Sequence, residues 1–399
     1  MNQDKILMKE NIKKLLNKVD TPFYIYSLEW LEKNIIDIKE RLTSQIELCY
    51  SIKANSILVP YVQSFVNYFE VCSLGEYRIC KEIVSPDKNI IFGGVCKKKE
   101  EIREAVKDNQ VILTVESMSQ LNNINQISAE EQRVSKVILR LSIGNQFGIA
   151  ADELLEMLKE RNNFQNIKIV GIQQYAATQC FKLEEERKYI ENLFKIIEEL
   201  EEAVDYQFEM VSYGGGIGIP YYEGDMGKEN PKEILSGVAN LLISHKKGRK
   251  IIYEAGRIIP ASSGIYVSRV LDQKQTNGRT YSILDGGTNH VKYYGHTFGA
   301  RKIMTELLRD ESEKDVYTIC GALCTVNDIL LKDVEIAKHS IDDVLLFLNA
   351  GAYCQTEASA LFLSRDLPAV YVVDESNEVS LIRDVINTYS INGGLPTSL

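Results

Sequence analysis

Short apolar runs alternate along most of the chain with longer stretches of helical periodicity. Strand-like runs stand near Ile46 (IELCYS), Phe69 (FEVCS), Asn89 (NIIFGG), Val111 (VILTVE), Lys136 (KVILRLS), Lys168 (KIVGIQQ), Glu209 (EMVSYGG) and Lys250 (KIIYEAG). Most lead into a helical pattern, as at Ser56 to Tyr68, Lys97 to Lys107, Glu153 to Asn162, Leu183 to Ala203 and Pro231 to His245. Eight strands alternating with helices predict an α/β chain folded as a parallel (β/α)8 TIM barrel. An open doubly wound sheet would expect a glycine-rich turn after the first strand, and none is there.

The pattern changes at both ends of this series. A polar N-terminal helix precedes a strand at Thr21 to Tyr26 and an amphipathic helix at Leu28 to Leu42. Past Pro260 the chain reads as strands without long helices: Gly264 to Leu271, Thr280 to Leu284, Asp315 to Cys320, Ile329 to Ile336, Val344 to Leu348, Ala369 to Val373 and Glu378 to Ile382. The expected division is a barrel over residues 27–258 and a β-rich domain made of residues 1–26 and 259–399. The linker falls at about Arg257 to Ser263, and the strand at Thr21 to Tyr26, which has no place among the eight, is expected in the β-rich domain.

Within the first barrel strand, alternation puts Ile46, Leu48, Tyr50 and Ile52 on one face and Glu47, Cys49, Ser51 and Lys53 on the other. If the apolar face packs on helices, Lys53 looks inward at the strand's carboxyl end, where barrels of this type carry their chemistry. A partly desolvated lysine there is able to attack an aldehyde. A surface lysine at a strand end is the plainer explanation of that residue alone.

Charge and cysteine usage narrow the function classes. With 46 basic against 56 acidic residues the net charge is -10, which argues against a general binder of phosphate backbones. The basic clusters Lys97-Lys98-Lys99 and Lys246-Lys247 fit solvated helix ends. No apolar run is long enough to span a bilayer, and MNQDKILMKEN lacks the apolar core of a signal peptide, so a cytoplasmic protein without membrane association is expected. The eight cysteines form no C-x-x-C pair and have no histidine at zinc spacing, so reduced thiols and no metal site are expected.

Polar and glycine-rich motifs gather at the carboxyl ends of the expected strands. The seventh runs into Gly214-Gly215-Gly216-Ile217-Gly218, whose backbone N–H groups suit an anion such as phosphate, although a glycine run alone is more often a simple turn. The eighth ends in Glu254-Ala255-Gly256-Arg257 and the sixth in Tyr175-Ala176-Ala177-Thr178-Gln179. Later come Gly321 to Asp328 and Asn349 to Cys354. Singly, each has an ordinary structural explanation.

Together, and in order, these motifs with Tyr50 to Asn55 and Glu70 to Glu76 resemble the pyridoxal-phosphate decarboxylases of the alanine-racemase-like fold. That group contains diaminopimelate and ornithine decarboxylases, and the likeness runs roughly from Thr21 to Val373. It implies that Lys53 holds pyridoxal 5'-phosphate covalently and that Glu254 pairs with its ring nitrogen. The glycines Gly214, Gly215 and Gly216, with Thr178, Arg257 and Tyr353, would hold the phosphate. Glu70 would steady the Lys53 ammonium, and Arg140 and Tyr175 would also meet the cofactor. Cys324, with Asp328, would reach the other subunit's site and deliver a proton there, which implies a homodimer with shared active sites.

Departures from the family pattern bear on substrate. Tyr175 stands where a ring-stacking histidine is common, EPGR reads Glu-Ala-Gly-Arg, and the segment Arg140 to Phe147 is shorter than usual. After Cys324 the acidic residue that receives a distal ammonium is replaced by Thr325, leaving Asp328 as the acid nearby. The arginine that follows the Asp-Ala-Gly motif of diaminopimelate decarboxylases is missing from Asp285 to Tyr294. These features look like the decarboxylases of specialised metabolism that act on carrier-linked glutamate or on a siderophore citryl-diaminopropionate. The alternatives are a diaminopimelate decarboxylase of lysine biosynthesis, an amino-acid racemase on the same fold, and a silent homologue that binds a regulatory partner.

Overall fold

The computed structural model describes residues 3–393. Eight parallel strands close into a barrel: Ile46–Ser51, Tyr68–Val71, Asn89–Phe92, Val111–Val115, Ser135–Arg140, Ile167–Tyr175, Met210–Gly214 and Lys250–Ala255. The last strand pairs with the first, with Ile46 opposite Ile251 and Cys49 opposite Glu254. One side chain from each strand (Cys49, Tyr68, Ile91, Ile112, Ile138, Val170, Met210 and Ile252) fills a buried layer inside the barrel. Because inward positions recur every second residue, the next inward positions toward the carboxyl ends include Ser51, Glu70, Ser212 and Glu254. The barrel therefore passes from an apolar plug to a polar mouth within two residues of chain.

Helices cover the barrel where the apolar stripe is continuous. Leu183–Val204 buries Ile190, Leu193, Phe194, Ile197 and Leu200, and Pro231–His245 starts on Asn230, whose side chain caps Lys232 N, with Pro231 in the first turn. The segment after the first strand differs from its expected long helix. It breaks into two 3-10 turns, Ile52–Ala54 and Ser56–Leu58, and the short helix Val59–Val62. Pro60 is tolerated only in a first turn, so the helix starts there and cannot extend backwards.

The β-rich unit holds a sheet of nine strands around Gly264–Thr276, which pairs with Phe23–Ser27, Arg279–Leu284 and Val344–Phe347. The strand Phe23–Ser27 sits inside this sheet, antiparallel to Gly264–Thr276 and parallel to Ala369–Val373. The helix Gln3–Leu16 lays Met8, Ile12 and Leu15 on the sheet, against Phe23, Ile25, Ile265 and Val267. The short strand Thr305–Leu307 has no counterpart in the sequence reading. Compact packing divides the chain into a barrel unit, Asn34–Gly218 with Lys228–Ile259, and the β-rich unit, which includes Ile219–Gly227. Among the described residues no helix is long and apolar enough to cross a membrane, and no cluster of metal-ligating side chains occurs.

Candidate active site

Lys53 lies just past its strand, in the 3-10 turn Ile52–Ala54, and its side chain is 38% exposed. Its Nζ donates to Glu70 Oε1 at 2.9 Å and lies 3.5 Å from Cys72 Sγ, while that thiol donates to the same Glu70 oxygen at 2.8 Å. Burial by itself pushes Glu70 up, but the Lys53 ammonium and the hydrogen bonds it accepts outweigh burial and hold it below the usual carboxylate range. Cys72 moves the other way, since burial and the Glu70 charge both disfavour a thiolate. Lys53 and Glu70, which the family resemblance pairs, thus stand together, and the structure adds a thiol to them.

Glu254 occupies the neighbouring inward position and is buried. Its Oε1 accepts from Gln173 Nε2 at 2.5 Å and from Ser212 Oγ at 2.6 Å. Burial, then the charge of Glu70, pushes its carboxyl above the ordinary range, against the pull of those hydrogen bonds and of Lys53. A protonated ring nitrogen offered to this carboxylate relieves that cost. Gln173 and Ser212 escaped the sequence reading; their signal is a pair of polar residues at inward positions of adjacent strands otherwise rich in valine and isoleucine.

The turn after Met210–Gly214 can be built only from glycine. A Cβ on Gly216, whose φ is +63°, would lie 1.7 Å from the Ala177 carbonyl, and one on Gly214 would lie 2.8 Å from the Tyr175 ring. The turn is laced to the segment beside it: Ala176 N donates to Gly214 O, Cys180 N to Gly216 O and Gly218 N to Cys180 O. Tyr175 and Thr178 are thereby held against the glycines, with Thr178 Cα 3.0 Å from the position of a Gly216 Cβ. Arg257 is buried, two residues past the strand that carries Glu254. A nucleophilic lysine, a buried carboxylate prepared for a cationic N–H and a side-chain-free turn suit pyridoxal phosphate, whose bound ring supplies the electron sink for decarboxylation.

Arg140, expected to meet the cofactor, has partners of its own within the barrel unit. Its guanidinium pairs with Glu116 at 3.1 Å and lies 4.7 Å from the Phe147 ring centroid, and Glu116 also accepts from Gly148 N. Lys97 departs from a solvated helix end. It is half-buried, Nζ donates to Gly94 O at 2.6 Å, and burial pushes it down to about 8.

The remaining candidates belong to the β-rich unit. Cys324 is exposed, and Val326 beside it is 87% exposed. Asp328 is buried at the far end of the same loop. Its Oδ1 accepts from Thr288 N at 2.8 Å and Thr288 Oγ1 at 2.9 Å, and its Oδ2 from Leu323 N at 2.8 Å. Tyr353 sits in a left-handed conformation with φ of 63°. All eight cysteines are free thiols.

Fold and site together define a pyridoxal-phosphate-dependent amino-acid decarboxylase. The chain belongs to the family described as pyridoxal-dependent decarboxylase, pyridoxal binding domain, which matches residues 28–261. Among its relatives is the L-glutamyl-(BtrI acyl-carrier protein) decarboxylase of Niallia circulans, 27% identical, with 94% of each chain covered. Another is the 2-((L-alanin-3-ylcarbamoyl)methyl)-2-hydroxybutanedioate decarboxylase of Staphylococcus aureus, 29% identical over 89% of this chain and 94% of that one. The fold is that of diaminopimelate decarboxylase from M. jannaschii, whose crystal structure matches with a TM-score of 0.87 at 24% identity, covering 96% of this chain and 94% of that one.

Proposed function

We propose that this enzyme decarboxylates an amino-acid moiety whose distal end bears no free ammonium, a conjugated or carrier-linked substrate of specialised metabolism. The observation that carries this reading is the state of the acids in the Cys324 loop. Thr325 has no charge, and the Asp328 carboxylate is buried with three hydrogen bonds from its own loops. An ammonium brought to such a loop would be desolvated without a partner, at a cost of several kcal/mol. Asp328 then serves as the clamp that shapes the loop rather than as a substrate contact. The two relatives named above, acting by their names on a carrier-bound glutamyl group and on a hydroxybutanedioate conjugate, lean the same way.

In this reading Lys53 would hold the cofactor covalently, and Glu70 would hold the Lys53 ammonium whenever that amine is free. Glu254 would keep the ring nitrogen protonated, Gly214, Gly215 and Gly216 with Thr178, Arg257 and Tyr353 would bind the phosphate, and Tyr175 would offer its ring to the cofactor's. Arg140, neutralised by Glu116, fixes the short loop to Phe147. Cys324 would serve as the proton donor to the carbon that loses CO2, in the site of a second copy of the chain. The homodimer is supported by exposed apolar side chains of the segment that Arg365 ties to the Ala322 carbonyl of the Cys324 loop: Phe362 is 47%, Tyr389 66% and Ile391 58% exposed, and Asn392 ties Ile391's turn to the Leu361 carbonyl.

Steady-state turnover tests the substrate reading. Free meso-diaminopimelate, ornithine and lysine are expected to be poor substrates beside a glutamyl thioester or a citrate amide of a diamino acid, by roughly 100-fold or more in kcat/KM. Thr325→Glu is expected to raise activity on a free diamino acid. Efficient turnover of meso-diaminopimelate by the unaltered enzyme would overturn this reading and assign the chain to lysine biosynthesis.

A further inference from the structure

One buried acid of the barrel unit has no part in the chemistry above. Glu186 closes a run of three glutamates in the first turn of Leu183–Val204. Glu184 and Glu185 are exposed, as suits the positive end of a helix. Glu186 instead falls on the apolar stripe with Ile190, Leu193, Phe194 and Ile197, and is 0% exposed. A carboxyl is an expensive occupant of that stripe unless something requires it there.

Its surroundings lead to the glycine turn. Met210 and Ser212 point into the barrel, so Tyr213, the residue after Ser212, points out toward the helices. There its hydroxyl donates to Glu186 Oε2 at 2.6 Å. The same oxygen lies 2.6 Å from where a Cβ on Gly215 would stand, with the second carboxyl oxygen 3.2 Å from that point. The carboxyl is therefore pressed against the backbone of the middle glycine. The other titratable groups that face it are the Cys180 thiol, the Tyr253 phenol and the neighbouring Glu185 carboxylate, and each of these is neutral or acidic.

We propose that Glu186 is a positioning residue for the cofactor's phosphate: seated behind Gly215 and held by Tyr213, it must carry a proton for the glycine turn to grip a phosphate dianion. The inference rests on the reading of Gly214, Gly215 and Gly216 as the phosphate turn. Two like charges on opposite sides of one peptide backbone, away from water, disfavour each other strongly. Binding the phosphate draws a proton onto Glu186, and by reciprocity the protonated carboxyl tightens phosphate binding. Burial already pushes Glu186 up to about 7, against the hydrogen bonds of Tyr213 and Cys180, so the exchange falls in the range where cells live.

The test is a titration of cofactor-free protein, prepared from the holoenzyme, with pyridoxal 5'-phosphate between about pH 6 and pH 8.5. Pyridoxal, which lacks the phosphate, is the second probe, and Glu186→Gln the comparison protein. Relative to Glu186→Gln, the unaltered protein is expected to lose about tenfold in affinity for pyridoxal phosphate across this range. No such change is expected for pyridoxal. An infrared difference spectrum between loaded and cofactor-free protein should gain the carbonyl band of a protonated carboxyl, absent in Glu186→Gln. A constant affinity ratio across pH, or no such band, overturns the inference while leaving the phosphate turn intact. Equal affinity for the two probes overturns the phosphate turn itself, and the inference with it. Should Glu186→Gln not fold, Tyr213→Phe removes a donor that favours the ionised carboxyl, so the affinity loss should move to higher pH; no movement is again a refutation.

Discussion

The barrel unit and the β-rich unit treat their functional side chains in opposite ways. In the barrel, Lys53, Glu70, Glu254 and Glu186 stand among partners supplied by the same unit, and each carboxyl is shifted by its surroundings. In the β-rich unit the buried Asp328 holds two loops together, while Cys324 and Val326 lie open on the surface. One unit surrounds its charges with partners; the other shapes a loop and leaves its thiol in the open. Preorganised charge lowers a barrier without reorganisation at the moment of reaction.

That contrast can be broken at its strongest point first. Lys53→Ala should lower decarboxylation on the order of 10^4-fold or more, because the covalent anchor and its ammonium vanish together. Substantial residual turnover, or a borohydride-fixed cofactor recovered on another lysine, would mean that the barrel's prepared charge lies elsewhere. Cys324→Ala should cost roughly 10^2-fold to 10^3-fold, the usual worth of a positioned proton donor. If the exposed loop is completed by a second copy, mixing this variant with Lys53→Ala should restore about a quarter of the normal activity through hybrid dimers with one intact site. Proven subunit exchange with no recovery would show instead that each chain completes its own site.

The smallest effect concerns stability. Glu186 is held near 7 when folded and returns to about 4.5 when unfolded, so the folded state binds the extra proton between those values. Its burial is therefore tolerated below about pH 4.5, and destabilises increasingly as pH rises toward 7. Relative to the unaltered protein, Glu186→Gln should gain about 3 kcal/mol between pH 4.5 and pH 7.5, read from urea midpoints at the two pH values. An unchanged difference would show that water reaches the carboxyl, and would place Glu186 with the solvated acids of its helix.

Periodicity made the barrel legible, because a strand buried on both faces is a compact apolar run whatever surrounds it. It also put Lys53 on the inward face of its strand, whereas Glu70 and Glu254 were legible only through the motifs shared with the decarboxylase family. What it left hidden depends on three-dimensional neighbours. Ser56 to Tyr68 has helical periodicity, yet Pro60 and the turn that carries Lys53 cut it to four residues of α-helix. Lys97 sits in a run of three lysines that reads as a solvated end, and only packing shows that the first of them turns inward. Glu186 is one of three consecutive glutamates, and its burial is recorded only in the i+4 spacing to Ile190. Three-residue strands such as Thr305–Leu307 are too short to carry a period at all.

The strand Phe23–Ser27 has a consequence for how the molecule is made. Its two neighbours in the sheet, Gly264–Thr276 and Ala369–Val373, lie in the last third of the chain. During synthesis the apolar sequence FYIYS emerges early and stays unpaired until those strands leave the ribosome, whereas the eight strands of the barrel follow one another and can pair as they appear. The β-rich sheet is thus closed around a strand made well before its neighbours, and a change that hinders Phe23–Ser27 acts on the middle of that sheet instead of on its margin.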